Sequence, residues 1–339
     1  MKRLGILVLV LLLAAVPVMG QKVTKSGTTA AGFLNIDAGA RGVGMGSAYV
    51  SVGEEVGSMY WNPAGIARLK GPEAVFSNTR WIADIAYNYA AVAVPLGQFG
   101  TVGVNAAFLT MDEMVRTTVL EPEGTGETFS AGSYAFGLSY ARKLTDRFSI
   151  GFNVKTIQER IYHSSARGIA FDVGTLFDTQ FEGMKIGMSI TNYGTKMRMD
   201  GRDMLIQTDI DPSVSGNNQN INANLQTDAF DLPLLFRVGV SVDVLKGLWG
   251  SNLIVSVDAL HPNDDVESVN VGAEYTYKGL VALRCGYKSL FSRDSEEGLC
   301  FGGGLQYRVV GTTAVHLDYA WGDFGVLKDI QKFSVGMSF

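Results

Sequence analysis

Charged and titratable side chains recur at alternate positions of apolar runs: Asp172, Arg237, Asp243, Asp258, Glu274, Arg284, Lys288, Arg308, His316 and Asp318. Carboxylates and guanidinium groups sharing one face could line a polar path or neutralise one another. Burying them is costly unless they pair, so an internal salt-bridge network is the expected outcome, and so dense a network argues against a wide open pore. Catalysis finds little support. The three histidines, His163, His261 and His316, show no metal-ligand spacing with cysteines or carboxylates. His163-Ser164-Ser165 is a loop tripeptide, and "FGGGLQY" reads as strand rather than phosphate loop. The acidic "HPNDDVES" is either a divalent-cation turn or a solvated one. No catalytic residue, metal or cofactor is expected. Cys285 and Cys300 fall on neighbouring strands with opposite orientations, which predicts free thiols.

The elements that must hold these side chains are strands. Phe148, Ile150, Phe152 and Val154 alternate with Ser149, Gly151, Asn153 and Lys155, and the same period of two runs through most of the chain. Fourteen strands are expected at 72–79, 84–95, 100–110, 129–143, 147–158, 167–178, 183–193, 234–245, 251–261, 266–277, 280–290, 299–310, 313–321 and 329–339. Connections after even strands are short; most after odd strands are long, with 159–166 modest and 194–233 the longest. Tyr277, Tyr307 and Trp321 sit near strand ends. A soluble sandwich has no reason to sort its loops, whereas an outer-membrane barrel has short periplasmic turns and long outer loops. Both termini are then expected on the periplasmic side. No stretch after residue 20 is apolar for long enough to form a membrane helix, so a closed barrel is the remaining way to cross a bilayer.

The N-terminus sets the compartment. Lys2 and Arg3 precede the apolar "LGILVLVLLLAAVPV", and Val18 and Gly20 suit a cleavage site, so 1–20 reads as a signal peptide cut before Gln21. Cleavage removes two positive charges from a formal net charge of −5, an acidic balance that argues against nucleic acid. Charged residues are 18% of the chain, below the usual share of about 25%.

Residues 21–70 read as a hatch inside the barrel of 71–339. "GARGVGMGSAYVSVGEE" and "YWNPAGIARL" are dense in small residues. Gly42, Gly44, Gly46 and Ala48 permit close approach to a wall, and Asn62, Pro63, Ala64 and Gly65 suit a tight turn. Arg41 could reach Asp172, Asp243, Asp258 or Glu274. In the loop 194–233, Met197, Met199, Met204, Leu205 and Ile206 have two readings: contacts for a protein or lipid-like partner, or a lid over the barrel mouth.

The span "GARGVGMGSAYVSVGEEVGSMYWNPAGIARL", with Arg41, Gly44, Met45, Gly46 and Trp61-Asn62-Pro63-Ala64-Gly65, resembles the N-terminal signature of the PorV/PorQ family within the FadL-like outer-membrane proteins. "DALHPND", "VNVGAEY", "LRCGYKSLF" and "FGGGLQY" are similar to that family's C-terminal half, so the resemblance covers essentially the whole mature chain. It implies a fourteen-stranded barrel with its N-terminal segment in the lumen as a hatch. It also implies a role in type IX secretion, holding or shuttling exported proteins with C-terminal signal domains. FadL relatives instead pass hydrophobic molecules such as long-chain fatty acids. The terminal Phe339 resembles the signal read by the barrel-assembly machinery. Outer-membrane lipid is the remaining expected partner.

Overall fold

The computed structural model describes residues 27–211, 213–216, 220–292 and 295–339. The expected signal peptide lies outside them. Fourteen long strands form one antiparallel barrel: β1 Glu73–Arg80, β2 Ala86–Pro95, β3 Thr101–Thr110, β4 Ala131–Lys143, β5 Phe148–Ile161, β6 Ser164–Asp178, β7 Met184–Gly194, β8 Leu235–Asp243, β9 Ser251–Pro262, β10 Ser268–Tyr277, β11 Val281–Leu290, β12 Leu299–Val310, β13 Thr313–Asp323 and β14 Asp329–Ser338. Each pairs with its sequence neighbour, and β1 closes on β14 from Glu73↔Ser338 to Arg80↔Gln331. Closure leaves no sheet edge, so the strand amides and carbonyls are satisfied without water.

The alternation explains both faces. Successive strand residues point to opposite sides, so the aromatic and branched residues gather outside and the small ones inside. Leu138 and Leu283 are 63% and 62% exposed, alongside Phe136, Val154, Leu305 and Val335. So broad an apolar surface suits lipid rather than water. Short turns at 96–100, 144–147, 179–183, 244–250, 278–280 and 311–312 gather at one rim, the turn end; 111–130 and 195–234 lie at the other, the loop end.

One expectation needs correction. The modest connection at 159–166 is almost all strand, because the Ile161↔Ser164 pairing continues the β5–β6 ladder and leaves only Tyr162 and His163 to turn. At the turn rim the Phe339 N–H donates to the Pro72 carbonyl (3.0 Å). The first described residues lie at the loop end. There the Ala30 N–H donates to the Asp231 carbonyl, Thr29 Oγ1 to Asp264 (2.8 Å) and the Ala31 N–H to Glu159 (3.1 Å). The N-terminal segment therefore threads the lumen from loop end to turn end.

That segment forms the core. Four short helical turns, Gly32–Asn35, Ala40–Gly44, Ser58–Trp61 and Pro63–Arg68, fold it compactly. Its Phe33, Leu34, Val56, Met59, Ile66 and Leu69 pack on the inward alanines and tyrosines of β2 to β6, among them Tyr87, Tyr89, Ala107 and Ala135. The apolar core thus lies between plug and wall, and the wall supplies small residues because the plug supplies the bulk.

Candidate functional site

The plug rests on a track of inward positions without large side chains. A Cβ on Gly151 would lie 2.3 Å from the Pro63 carbonyl carbon, one on Gly174 2.0 Å from Asn62 Oδ1, and one on Gly187 2.3 Å from the Val50 oxygen. The track continues through Gly239, Gly272 (2.1 Å from the Met45 oxygen), Gly286 (2.4 Å from the Gly46 nitrogen) and Gly302 (3.0 Å from Gly44 Cα). On β9 the same level is held by Ser256, whose hydroxyl donates to the Ala48 carbonyl (2.6 Å). Gly151↔Gly174, Gly187↔Gly239, Ser256↔Gly272 and Gly272↔Gly286 are cross-strand partners. Glycine is required here by backbone contact, since any side chain would occupy the plug's own volume.

The Asn-Pro-Ala-Gly turn is locked onto this track. Asn62 Nδ2 donates to the carbonyls of Val50 (2.8 Å) and Thr175 (2.9 Å), while its Oδ1 accepts from the Ala64 N–H (3.1 Å). Asn62 thereby caps the Pro63–Arg68 turn, with Pro63 at the first helical position where no donor is needed. Gly65 is packed so tightly that a Cβ would lie 2.3 Å from the Gly53 oxygen. The Trp61 Nε1–H donates to the Ala38 carbonyl (3.1 Å), and the Arg237 guanidinium lies 5.3 Å from the Trp61 ring.

Ion pairs fasten the plug at three places. Near the turn end a chain of alternating charge runs Glu55–Arg41–Glu274–Arg284–Asp318, with contacts of 2.9, 2.6, 2.6 and 2.6 Å. Of the four carboxylates offered to Arg41 by the sequence, Glu274 is its partner. Arg68 meets Asp178 (2.6 Å) and Glu54 (2.8 Å), and Glu54 also accepts Lys185 (2.7 Å). Toward the loop end Asp37 binds Lys288 (2.7 Å) and faces Arg237 (4.0 Å), while Lys332 donates to the Asp37 carbonyl. Burial pushes the Asp37 carboxyl up, but Lys288, Arg237 and Lys332 outweigh it and hold it below the ordinary aspartate range. Burial likewise raises Glu54 and Glu55, and Lys185 with Arg68, and Arg41, pull each below the usual glutamate range.

Several sequence candidates lie elsewhere. Asp172 pairs with Lys155 (3.0 Å) inside the wall. Asp258 is fully buried without an ion-pair partner among the described residues; its Oδ2 accepts the Val50 N–H (2.8 Å) and so caps plug backbone. Asp243 is outside the network because β8 ends there, and its carboxylate accepts from the Lys246 N–H of the turn. Arg308 is exposed near the turn rim, where β12 passes the plug's lower edge. His316 hydrogen-bonds Ser338 Oγ at 3.3 Å. Met197 is 1% exposed, packed with Leu232 against the plug's apolar cluster, and Met199 is half-buried there. These two pack inward rather than outward. Met204 is half-buried, whereas Leu205 and Ile206 stay exposed on a hairpin of Leu205–Thr208 with Ile221–Asn224. Cys285 is exposed and Cys300 buried, both free. Among the described residues no group of His, Cys, Asp or Glu is arranged to hold a metal ion.

Asp37, Glu54 and Glu55 escaped the sequence reading because plug charges have no alternation to reveal them; Lys332 lies on β14 at the inward parity of Ser334, between outward Phe333 and Val335, where alternation could have found it. The glycine track did carry a signal: inward glycines recur at one height on successive strands.

Two cavities flank the plug. At the loop end a cavity of about 170 Å³ is lined mainly by Ile85, Leu109, Met111, Ile161 and Met199, with Glu159 and Arg160 at its side. At the turn end one of about 240 Å³ is polar, with Arg41, Glu55, Glu73, Gln306, His316 and Asp318 on its walls.

A closed fourteen-stranded barrel with its N-terminal segment plugging the lumen has the fold of FadL-like outer-membrane channels. The chain is similar in structure to the monoaromatic hydrocarbon channel CymD (TM-score 0.55, 12% identity, 90% of this chain and 98% of that one). It is also similar to the Ralstonia pickettii toluene transporter TbuX (0.51, 12%, 89% and 98%) and a Pseudomonas aeruginosa FadL homologue (0.52, 11%, 89% and 98%). No family model matches the chain, and no curated protein matches it in sequence.

Proposed function

We propose that this chain is an outer-membrane channel for small hydrophobic molecules, with the loop end outside the cell and the turn end in the periplasm. The observation that carries this reading is the apolar cavity of Ile85, Leu109, Met111, Ile161 and Met199 at the outer mouth, directly above the plug of a FadL-like barrel. An apolar solute leaving water gains about 25 cal/mol per Å² buried in such a pocket. The plug then governs onward passage, because its ion pairs occupy the lumen below. The test is uptake of radiolabelled toluene and of a long-chain fatty acid by cells lacking their own channel for such molecules. The chain should restore uptake, and Ile161→Asp should reduce it at least about tenfold by placing an unpaired charge in the pocket. Uptake no faster than in cells without the chain would sink the reading.

A second reading, export and surface attachment of proteins through a type IX-like route, is favoured by the exposed Leu205 and Ile206 on the projecting outer hairpin. It also draws on the resemblance of the Trp61–Gly65 region to the PorV/PorQ signature. Affinity isolation from the native outer membrane separates the two. Co-purified proteins with C-terminal signal domains support export; bound lipid or hydrocarbon without a protein partner supports the channel.

A further inference from the structure

The turn rim combines charge and apolar surface in a way that neither reading of the cargo uses. Arg142, Lys143 and Arg147 surround the 144–147 turn, Lys278 occupies the 278–280 turn, and Arg308 precedes the 311–312 turn, all five exposed. Asp146 is an exposed carboxylate within the 144–147 turn, yet the ion pairs of the described residues include none of the five. Between them stand exposed Leu144, Leu280, Tyr307 and Trp249, the last 88% exposed. At the opposite rim exposed carboxylates such as Glu121, Glu123, Asp265, Glu267 and Asp323 outnumber the exposed basic residues, among them Arg116, Arg202 and Lys328.

The turn backbone is shaped around these side chains. Lys246, Trp249 and Lys278 adopt positive φ values of 47°, 55° and 51°. Tight hairpin turns favour glycine or asparagine at such positions, so the basic and aromatic residues are held there against local preference. The rim lies where the apolar outer band ends, at the level of lipid headgroups. Leucine and aromatic side chains at that level reach the acyl boundary while basic heads reach phosphate.

We propose that the turn rim is a binding surface for anionic phospholipid headgroups, seating the barrel in a leaflet that carries phosphodiester charge. Each exposed lysine or arginine near such a surface contributes about fivefold to local partitioning of anionic lipid. The test uses the mature full-length chain with Trp81→Phe and Trp321→Phe. Trp249 is then the lipid-exposed tryptophan, since Trp61 is buried in the lumen. Trp249 fluorescence is quenched in vesicles containing brominated phosphatidylglycerol or brominated phosphatidylcholine. Phosphatidylglycerol should be preferred by about fivefold or more. The preference should shrink toward unity in 1 M salt, where the Debye length is about 3 Å. It should also vanish in the variant R142Q/K143Q/R147Q/K278Q/R308Q, with heat-modifiable gel migration reporting that the barrel is folded. Equal quenching by both lipids with the rim unaltered overturns the proposal, as does a preference that survives the five substitutions. Should the variant not fold, salt dependence with the unaltered rim decides alone.

Discussion

Glu274 is the carboxylate on which two arginines depend. Arg41 Nε and Nη2 approach its two oxygens at 2.8 and 2.6 Å, and Arg284 Nε lies 2.6 Å from one of them. Removing one member of a buried pair leaves an uncompensated charge, which costs about 3–5 kcal/mol. Glu274→Gln should therefore lower the temperature at which the barrel loses its compact gel migration. Asp318→Asn should do so less, because Arg284 keeps Glu274. Equal effects would mean that Glu274 does not join the two arginines. Much of this chemistry was legible in the sequence. Glu274, Arg284 and Asp318 share inward parity on β10, β11 and β13, and parity is enough to place them on one face. It could not place Asp243 and Arg308, because inward parity at a strand end points into a turn rather than the lumen. Nor could it separate Glu274 from the other carboxylates near Arg41, since that choice depends on where the Ala40–Gly44 helix sits.

The strands were the most legible elements, because a period of two over long runs has one solution when one side faces lipid and the other a filled lumen. The connections were less so. His163-Ser164-Ser165 has loop composition, yet the β5–β6 ladder carries Ser164 and Ser165 into strand. Composition left Met197 either a partner contact or part of a lid, and packing against Leu232 and the plug buries it. The track of inward glycines is where plug and wall specify each other, and it predicts a sharp contrast between an inward and an outward glycine. Gly272→Val forces a side chain where a Cβ already lies 2.1 Å from the Met45 oxygen. Overpacking of this kind costs about 1–3 kcal/mol or more. The plug of the reconstituted protein should then become open to trypsin at Arg41 and Arg68. Gly303→Val on β12 faces outward, with its nearest atom at 3.9 Å, and should leave the plug protected. Equal protection in both variants would show that the plug does not rest on the track.

For the whole molecule, the plug is an electrostatic fixture as much as a packed one. Asp37 near the loop end, and Glu54 and Glu55 near the turn end, each lie below the ordinary carboxylate range because their cationic partners outweigh burial. When the plug leaves the wall these carboxyls lose those partners and return toward ordinary values near pH 4. A carboxyl whose seated value is depressed adds stability above its ordinary value, and that stability is lost as pH falls through the seated one. The seated state should thus hold its full electrostatic stabilisation at neutral pH and lose it below about pH 4. In planar bilayers the chain should conduct little at pH 7 and show large reversible openings only below that threshold. Glu55→Gln deletes one of the three carboxyls and should raise the frequency of opening at pH 7. Openings that begin between pH 7 and pH 5 would refute a plug held by these carboxylates.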